Sequence, residues 1–178
     1  MKITVTFTIL FFIPLFGFTQ INFNVLEPTS VSGDYDFTWG MPENGWGCPD
    51  FNIPNTYVQD TLMLVEDGTP GINDQGNPIS QEGCYPLTND LSGKIAVCWR
   101  NSCYWYDKAL NAQNAGAKAL IIISRDDELV ELGVQPPAGP DIIIPITSLV
   151  KRACHRHRHS NSIGKGVYPI LTIELCSS

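Results

Sequence analysis

Apolar residues concentrate in two short runs, KIAVCW at 94–99 and ALIII at 119–123, with a stretch of longer period between them. The first run is opened by Gly93 and predicts a buried strand. Asn101 or Ser102 is the expected cap of a following helix, because a short polar side chain there accepts an orphan N–H. Tyr106, Ala109, Leu110, Gln113 and Ala117 then fall on one helical face, and Asp107, Lys108, Asn111 and Asn114 on the other. Gly116 stands where a left-handed C-cap is wanted. The second run is apolar throughout, the pattern of a strand covered on both faces. Strand, helix and strand make a β-α-β unit, whose crossover is expected to be right-handed.

The flanks carry weaker patterns. Positions 21–25 alternate apolar and polar, as do Tyr35, Phe37 and Trp39, and both predict half-buried strands. A longer strand is expected over 57–65. Residues 40–54, 67–86 and 133–141 are punctuated by Gly and Pro and predict loops. The second of these is long for a compact domain, which points to function or disorder. Positions 128–132 fit a helical turn. Positions 142–150 predict a strand in which Pro145 marks an edge or an end. Positions 167–175 return to a strand-like pattern. The early strands are expected to pair as an antiparallel sheet flanking the β-α-β unit, an α+β arrangement. No internal repeat or low-complexity tract interrupts the chain.

The central stretch resembles the protease-associated (PA) domain. The matching residues are Leu91, Gly93, Lys94, Ile95, Ala96 and Val97, then Arg100, Cys103, Lys108, the run ALNAQNAGA at 109–117, and Ile121 to Ile123. LVEDGT at 64–69, GCYPL at 83–87 and IIIPITS at 142–148 also look like that family, so the resemblance spans about 25–149. It implies a compact β-rich domain with few helices. It further implies binding or gating of polypeptide beside peptidases and sorting receptors. It also implies an amphipathic helix after the strand at 142–148, and a Cys84–Cys103 disulfide.

Length and charge narrow the class. At 178 residues the chain is read as one domain with 43% hydrophobic and 16% charged residues, as expected of a globular protein. A net charge of −7 argues against a nucleic-acid partner, since phosphate is repelled by an acidic surface. Residues 1–19 predict a secretory signal. Lys2 gives a positive start, 9–18 an apolar core, and Gly17 and Thr19 the small residues that place cleavage before Gln20. The apolar run is short for a membrane span. A secreted protein with no membrane partner after cleavage is therefore expected. Residues 20–150 then form the PA-like domain, and 151–178 an atypical basic tail with a possible final strand.

Secretion allows the six cysteines, Cys48, Cys84, Cys98, Cys103, Cys154 and Cys176, to oxidise. Their spacing alone permits 15 pairings. Cys98 lies within a strand and reads as a buried thiol.

The tract KRACHRHRHSNSIGKG at 151–166 holds five of the 11 Lys and Arg and all three His. It lacks the apolar spacing of the helix that the resemblance implies. On a strand His155, His157 and His159 would share a face and offer zinc or copper three imidazoles. Arg156 and Arg158 oppose a cation, so a solvated basic loop is the reading taken. A composition break of this kind is also what a local frameshift leaves.

No H-E-x-x-H or G-x-S-x-G occurs, and a Ser-His-Asp set would have to draw on the clustered histidines. The acidic groups at Asp34 and Asp36, and at Asp126, Asp127, Glu128 and Glu131, lack an EF-hand pattern and read as solvated. No enzyme activity and no cofactor are expected. The aromatics Trp99, Tyr104, Trp105 and Tyr106 cluster at the strand-to-helix turn. Three consecutive aromatics cannot share one helical face, so at least one of Tyr104, Trp105 and Tyr106 is expected on the surface as part of a binding patch. With the 67–86 loop and the 125–140 connection it makes the expected surface for a polypeptide or partner domain.

Overall fold

The computed structural model describes residues 21–27, 29, 32–126, 128–133, 139 and 141–150, and the backbone of 173–177. The predicted signal at 1–19 and the tract at 151–166, with His155, His157 and His159, lie outside the described residues.

A mixed five-stranded sheet forms the centre. Its strands are β3 (Phe37–Trp39), β4 (Leu62–Leu64), β5 (Ile95–Trp99), β6 (Ala119–Ile123) and β7 (Ile146–Leu149), in the spatial order β3-β7-β6-β5-β4. β4, β5, β6 and β7 run parallel, with Ile95 opposite Ala119 and Ile122 opposite Ser148, and β3 closes one edge antiparallel to β7. The α-helix α1 (Trp105–Asn114), the one α-helix among the described residues, is the crossover from β5 to β6. A second, antiparallel sheet contains β1 (Ile21–Val25) between β2 (Gly33–Asp34) and β8 (Ile173–Ser177). The architecture is α+β and β-rich, as expected.

The alternation of side chains along a strand explains the two-layer core. Ala96, Cys98, Leu120, Ile122 and Ile146 face α1, where they meet Ala109, Ala112, Leu91 and Leu132. Ile95, Val97, Ala119, Ile121, Ile123 and Leu149 face the other way, against Phe23 and Val25 of β1 and against Phe51. The central sheet is thus covered on both faces, which is why β5 and β6 read as unbroken apolar runs.

α1 ends as its sequence dictates. Gly116 has φ +84°, its N–H donates to the Gln113 carbonyl at 3.0 Å, and the Ala117 N–H donates to the Ala112 carbonyl at 3.1 Å. This is a Schellman termination. A Cβ at Gly116 would lie 2.9 Å from Ser92 Oγ and 3.1 Å from Ser92 Cα, so both backbone angle and space require glycine.

Four expectations are corrected, and a fifth is narrowed to one of its alternatives. The N-cap is Tyr104, with no side-chain cap, because Asn101 and Ser102 hydrogen-bond elsewhere. Lys108, assigned to the polar face, is buried on the inner one beside Ala109 and Ala112. The strand expected over 57–65 is only Leu62–Leu64 and is parallel to its neighbour, so the early strands divide between two sheets. Of the two alternatives for Pro145, an edge or an end, the end holds: β7 starts at Ile146 and lies between β3 and β6, and the Pro145 carbonyl accepts the Leu120 N–H at 2.8 Å. The described part of 128–132 is not helical. There the Val130 carbonyl accepts Thr38 Oγ1, and that of Leu132 accepts Trp46 Nε1 at 2.7 Å.

Candidate functional site

The carboxyl ends of the parallel strands bring the expected loops together. The Arg100 N–H donates to the Ile123 carbonyl at 2.8 Å, joining the turn after β5 to the end of β6. The Arg100 guanidinium lies 5.3 Å over the Trp105 ring, 3.5 Å from Ser124 Oγ and 3.7 Å from Asp126 Oδ2. Burial, with the nearby Arg125, lowers its pKa, and Asp126 opposes that shift. Trp105 and Tyr106 are half-buried against the core, while Tyr104 is 57% exposed. Tyr106 donates its hydroxyl to Asp141 Oδ2 at 2.8 Å, and Gln113 Nε2 donates to the Asp141 carbonyl at 3.0 Å. The helix is thereby braced against the segment that leads into β7.

The 67–86 loop is ordered by its own polar side chains. Asp67 accepts the N–H of Thr69 at 2.9 Å and of Tyr85 at 3.3 Å. Asn73 Oδ1 accepts the N–H groups of Gln75 and Asn77 at 3.0 and 2.9 Å. The centre of the arrangement is Glu82, which is fully buried. Its Oε1 accepts Asn73 Nδ2 at 2.9 Å and Asn101 Nδ2 at 2.8 Å, and its Oε2 accepts the Ser102 N–H at 3.2 Å. Burial pushes this carboxyl up, but the bonds from Asn73, Asn101 and Ser102 outweigh it and hold its pKa below the usual value. The buried Lys108 donates from Nζ to the Glu82 carbonyl oxygen. One residue therefore ties together the long loop, the β5–α1 turn and the helix.

A covalent tie lies beside it. Cys84 and Cys103 form a disulfide with Cα atoms 5.6 Å apart. Gly83, with φ +69°, lets the chain turn over the sheet: a Cβ there would lie 3.4 Å from Val65 and 3.9 Å from Cys98. Tyr85 and Tyr104 each follow one disulfide cysteine, and both rings are exposed. Cys98 and Cys48 are free and buried, and burial pushes each thiol up to about 11. Among the described residues no group of three or more His, Cys, Asp or Glu is placed to hold a metal ion.

The sequence profile of the PA domain matches residues 42–156, well over half of the chain. The chain belongs to the PA domain family. Aminopeptidase YwaD of Bacillus subtilis (strain 168) is 32% identical over 113 residues, covering 57% of this chain and 25% of that protein. Signal peptide peptidase-like 2 of Arabidopsis thaliana is 39% identical over 74 residues, or 41% of this chain and 14% of that protein. The aminopeptidase from Aneurinibacillus sp. strain AM-1 superposes with a TM-score of 0.53 at 17% identity, over 89% of this chain and 30% of that one. That last likeness shows the fold. The chain spans a quarter or less of the length of these curated relatives, and its PA domain is of the kind found in peptidases.

Of the residues singled out from sequence, Tyr104, Trp105 and Tyr106 stand at the convergence of the loops, with Tyr104 the exposed member. Sequence reasoning missed Glu82, Asn73 and Tyr85. Lys108 did leave a signal. It recurs with Trp105, Ala109 and Ala112 at inward helical spacing, and a lysine in such a stripe needs a buried partner.

Proposed function

We propose that this PA domain is a secreted, non-catalytic module that binds polypeptide or docks on a partner domain. The observation that carries this reading is the pair of exposed tyrosines, Tyr85 and Tyr104, held beside the disulfide and the buried Glu82 cluster. A surface with rigid aromatic anchors loses little entropy on binding, because its loops are ordered beforehand. Capture of partners from the culture medium by the purified chain, repeated with Tyr104→Ala, tests it. Loss of capture by a variant that keeps the parent's stability supports the reading. Capture unaffected by changes at Tyr85, Tyr104 and the 125–126 turn places the site elsewhere.

A second reading has its own support. The match covers 25% of an aminopeptidase and 14% of a signal peptide peptidase-like protein, so this PA domain is equally suited to serve as one part of a longer secreted peptidase. Its loops would then face a catalytic domain. The intact mass of the native secreted product decides between the two: a species of the mass of residues 20–178 favours the free-standing module, and a larger one the peptidase.

A further inference from the structure

A shallow pocket lies beside the C-terminal half of α1, and the helix side that lines it continues by its spacing toward Tyr104. The two together form a groove. One wall is the chain at 85–87, which follows the disulfide. The other is the side of the helix carrying Asp107, Asn111 and Asn114, with Tyr104 just before it at the same spacing. Asn111 Nδ2 donates to the Gly83 carbonyl at 3.0 Å and sets the distance between the walls. Toward the helix C-terminus, Pro86, Leu87, Asn111, Asn114 and Ala115 enclose about 190 Å³. Toward its N-terminus the disulfide brings together the backbones that carry Tyr85 and Tyr104, 60% and 57% exposed. Asp107 takes part in neither of the two ion pairs found among the described residues.

Charge narrows what fits there. Residues 21–150 contain 17 Asp and Glu against five Lys and Arg, a net of −12. Of the five cations Lys108 is buried, and Arg100 and Lys118 are paired with Asp126 and Asp60. The whole chain, with its basic tail, still carries −7, and Asp107 lies on the helix side that lines the pocket, so the charge there favours a cation.

We infer that the groove takes an extended, basic, proline-containing segment of a polypeptide, with prolyl rings on Tyr85 and Tyr104 and a lysine or arginine against Asp107. This rests on the polypeptide-binding reading above and names its ligand class. A polyproline-type segment presents rings to aromatic walls without first losing chain entropy. The Asn114 carboxamide offers both a donor and an acceptor to the ligand backbone.

The test titrates the secreted chain with a synthetic peptide of alternating proline and lysine, and with its proline–glutamate counterpart. Binding of the lysine peptide alone is expected. Tyr104→Ala should weaken it about tenfold, as removal of a central aromatic does. Asp107→Asn should weaken it about threefold, with less effect at high salt. Glu43→Gln, in the 3-10 turn Pro42–Asn44 and not among the residues that line the pocket, should leave it unchanged. If Glu43→Gln costs as much as Asp107→Asn, the attraction is diffuse and the groove is not the site. Equal binding of both peptides, or of neither, overturns the inference. In that case a medium partner still captured through Tyr104 keeps the broader reading alive, and loss of that capture as well ends both.

Discussion

The central sheet and the cluster around Glu82 are held together in opposite ways. Along β5 and β6 every residue but Trp99 is buried, and contacts are apolar and redundant. Around Glu82 a buried carboxylate and a buried ammonium depend on a few directed bonds from Asn73, Asn101, Ser102 and Lys108. Removing an apolar side chain leaves a cavity, whose cost rises with the volume lost. Removing a partner from the polar cluster leaves a buried group unsatisfied, a cost that does not depend on volume. The sheet therefore supplies most of the stability, and the cluster supplies the position of the loops.

The largest expected effect is in the sheet. Ile122 is fully buried on the helix-facing side of β6. Ile122→Ala should cost about 2–5 kcal/mol in urea unfolding. A loss under about 1 kcal/mol would mean that the layer can collapse around the gap, and the contrast between the two regions would fail.

Next comes the covalent tie. Cys84 and Cys103 are 19 residues apart, and chain-entropy reasoning gives a loop of that size about 3 kcal/mol. The double variant Cys84→Ser with Cys103→Ser should unfold at correspondingly lower urea, while protection of the β5 and β6 amides against hydrogen exchange persists in native buffer. An unchanged midpoint would show that the Glu82 bonds alone hold the loop.

The two regions also differ in how far the sequence discloses them. β5, α1 and β6 were legible because burial imprints a period on neighbouring residues, and Gly116 marked the helix end. β4 is shorter than the expected strand because pairing begins only at Thr61, whose carbonyl accepts the Ile95 N–H at 2.9 Å, and positions 57–60 lie outside the ladder. The Glu82 cluster leaves no period at all. Its partners stand 9, 19, 20 and 26 residues away, and each is an ordinary polar residue by local criteria. Asn101 and Ser102 looked like helix caps for the same chemical reason that they bind Glu82: short polar side chains and nearby N–H groups suit either partner. Tyr85 stands in the 67–86 loop expected at the surface, but no local pattern singles it out there, because its placement near Tyr104 runs through the Cys84–Cys103 disulfide.

A smaller effect, with a pH signature, is expected from Glu82→Gln. An amide keeps the shape but turns one acceptor into a donor facing other donors, at a cost of about 1–3 kcal/mol. The folded pKa of Glu82 is lowered: burial raises it, and the bonds from Asn73, Asn101 and Ser102 more than compensate. Below the unfolded value, about 4.3, the unfolded chain therefore binds more protons than the folded one. The associated stability is present above that pH and is lost as pH falls through the folded pKa. Urea midpoints of the parent should drop more steeply below about pH 4 than those of Glu82→Gln. Parallel curves would show that Glu82 does not govern the acid limb.

The smallest effect on stability is expected at Tyr104. Its ring is 57% exposed, and as N-cap it makes no side-chain bond to the helix. Its carbonyl accepts the Lys108 N–H at 3.3 Å, a backbone contact that alanine retains. Tyr104→Ala should therefore shift the urea midpoint by no more than about 0.5 kcal/mol equivalent. An aromatic ring left in water by a fold that buries Phe23, Phe51 and Trp46 is not needed for packing. Its role lies in what it meets, and the same variant should lose partner capture. If Tyr104→Ala instead costs more than about 1 kcal/mol, the ring is structural, and the division between a stabilising sheet and a presenting cluster breaks down at its most exposed residue.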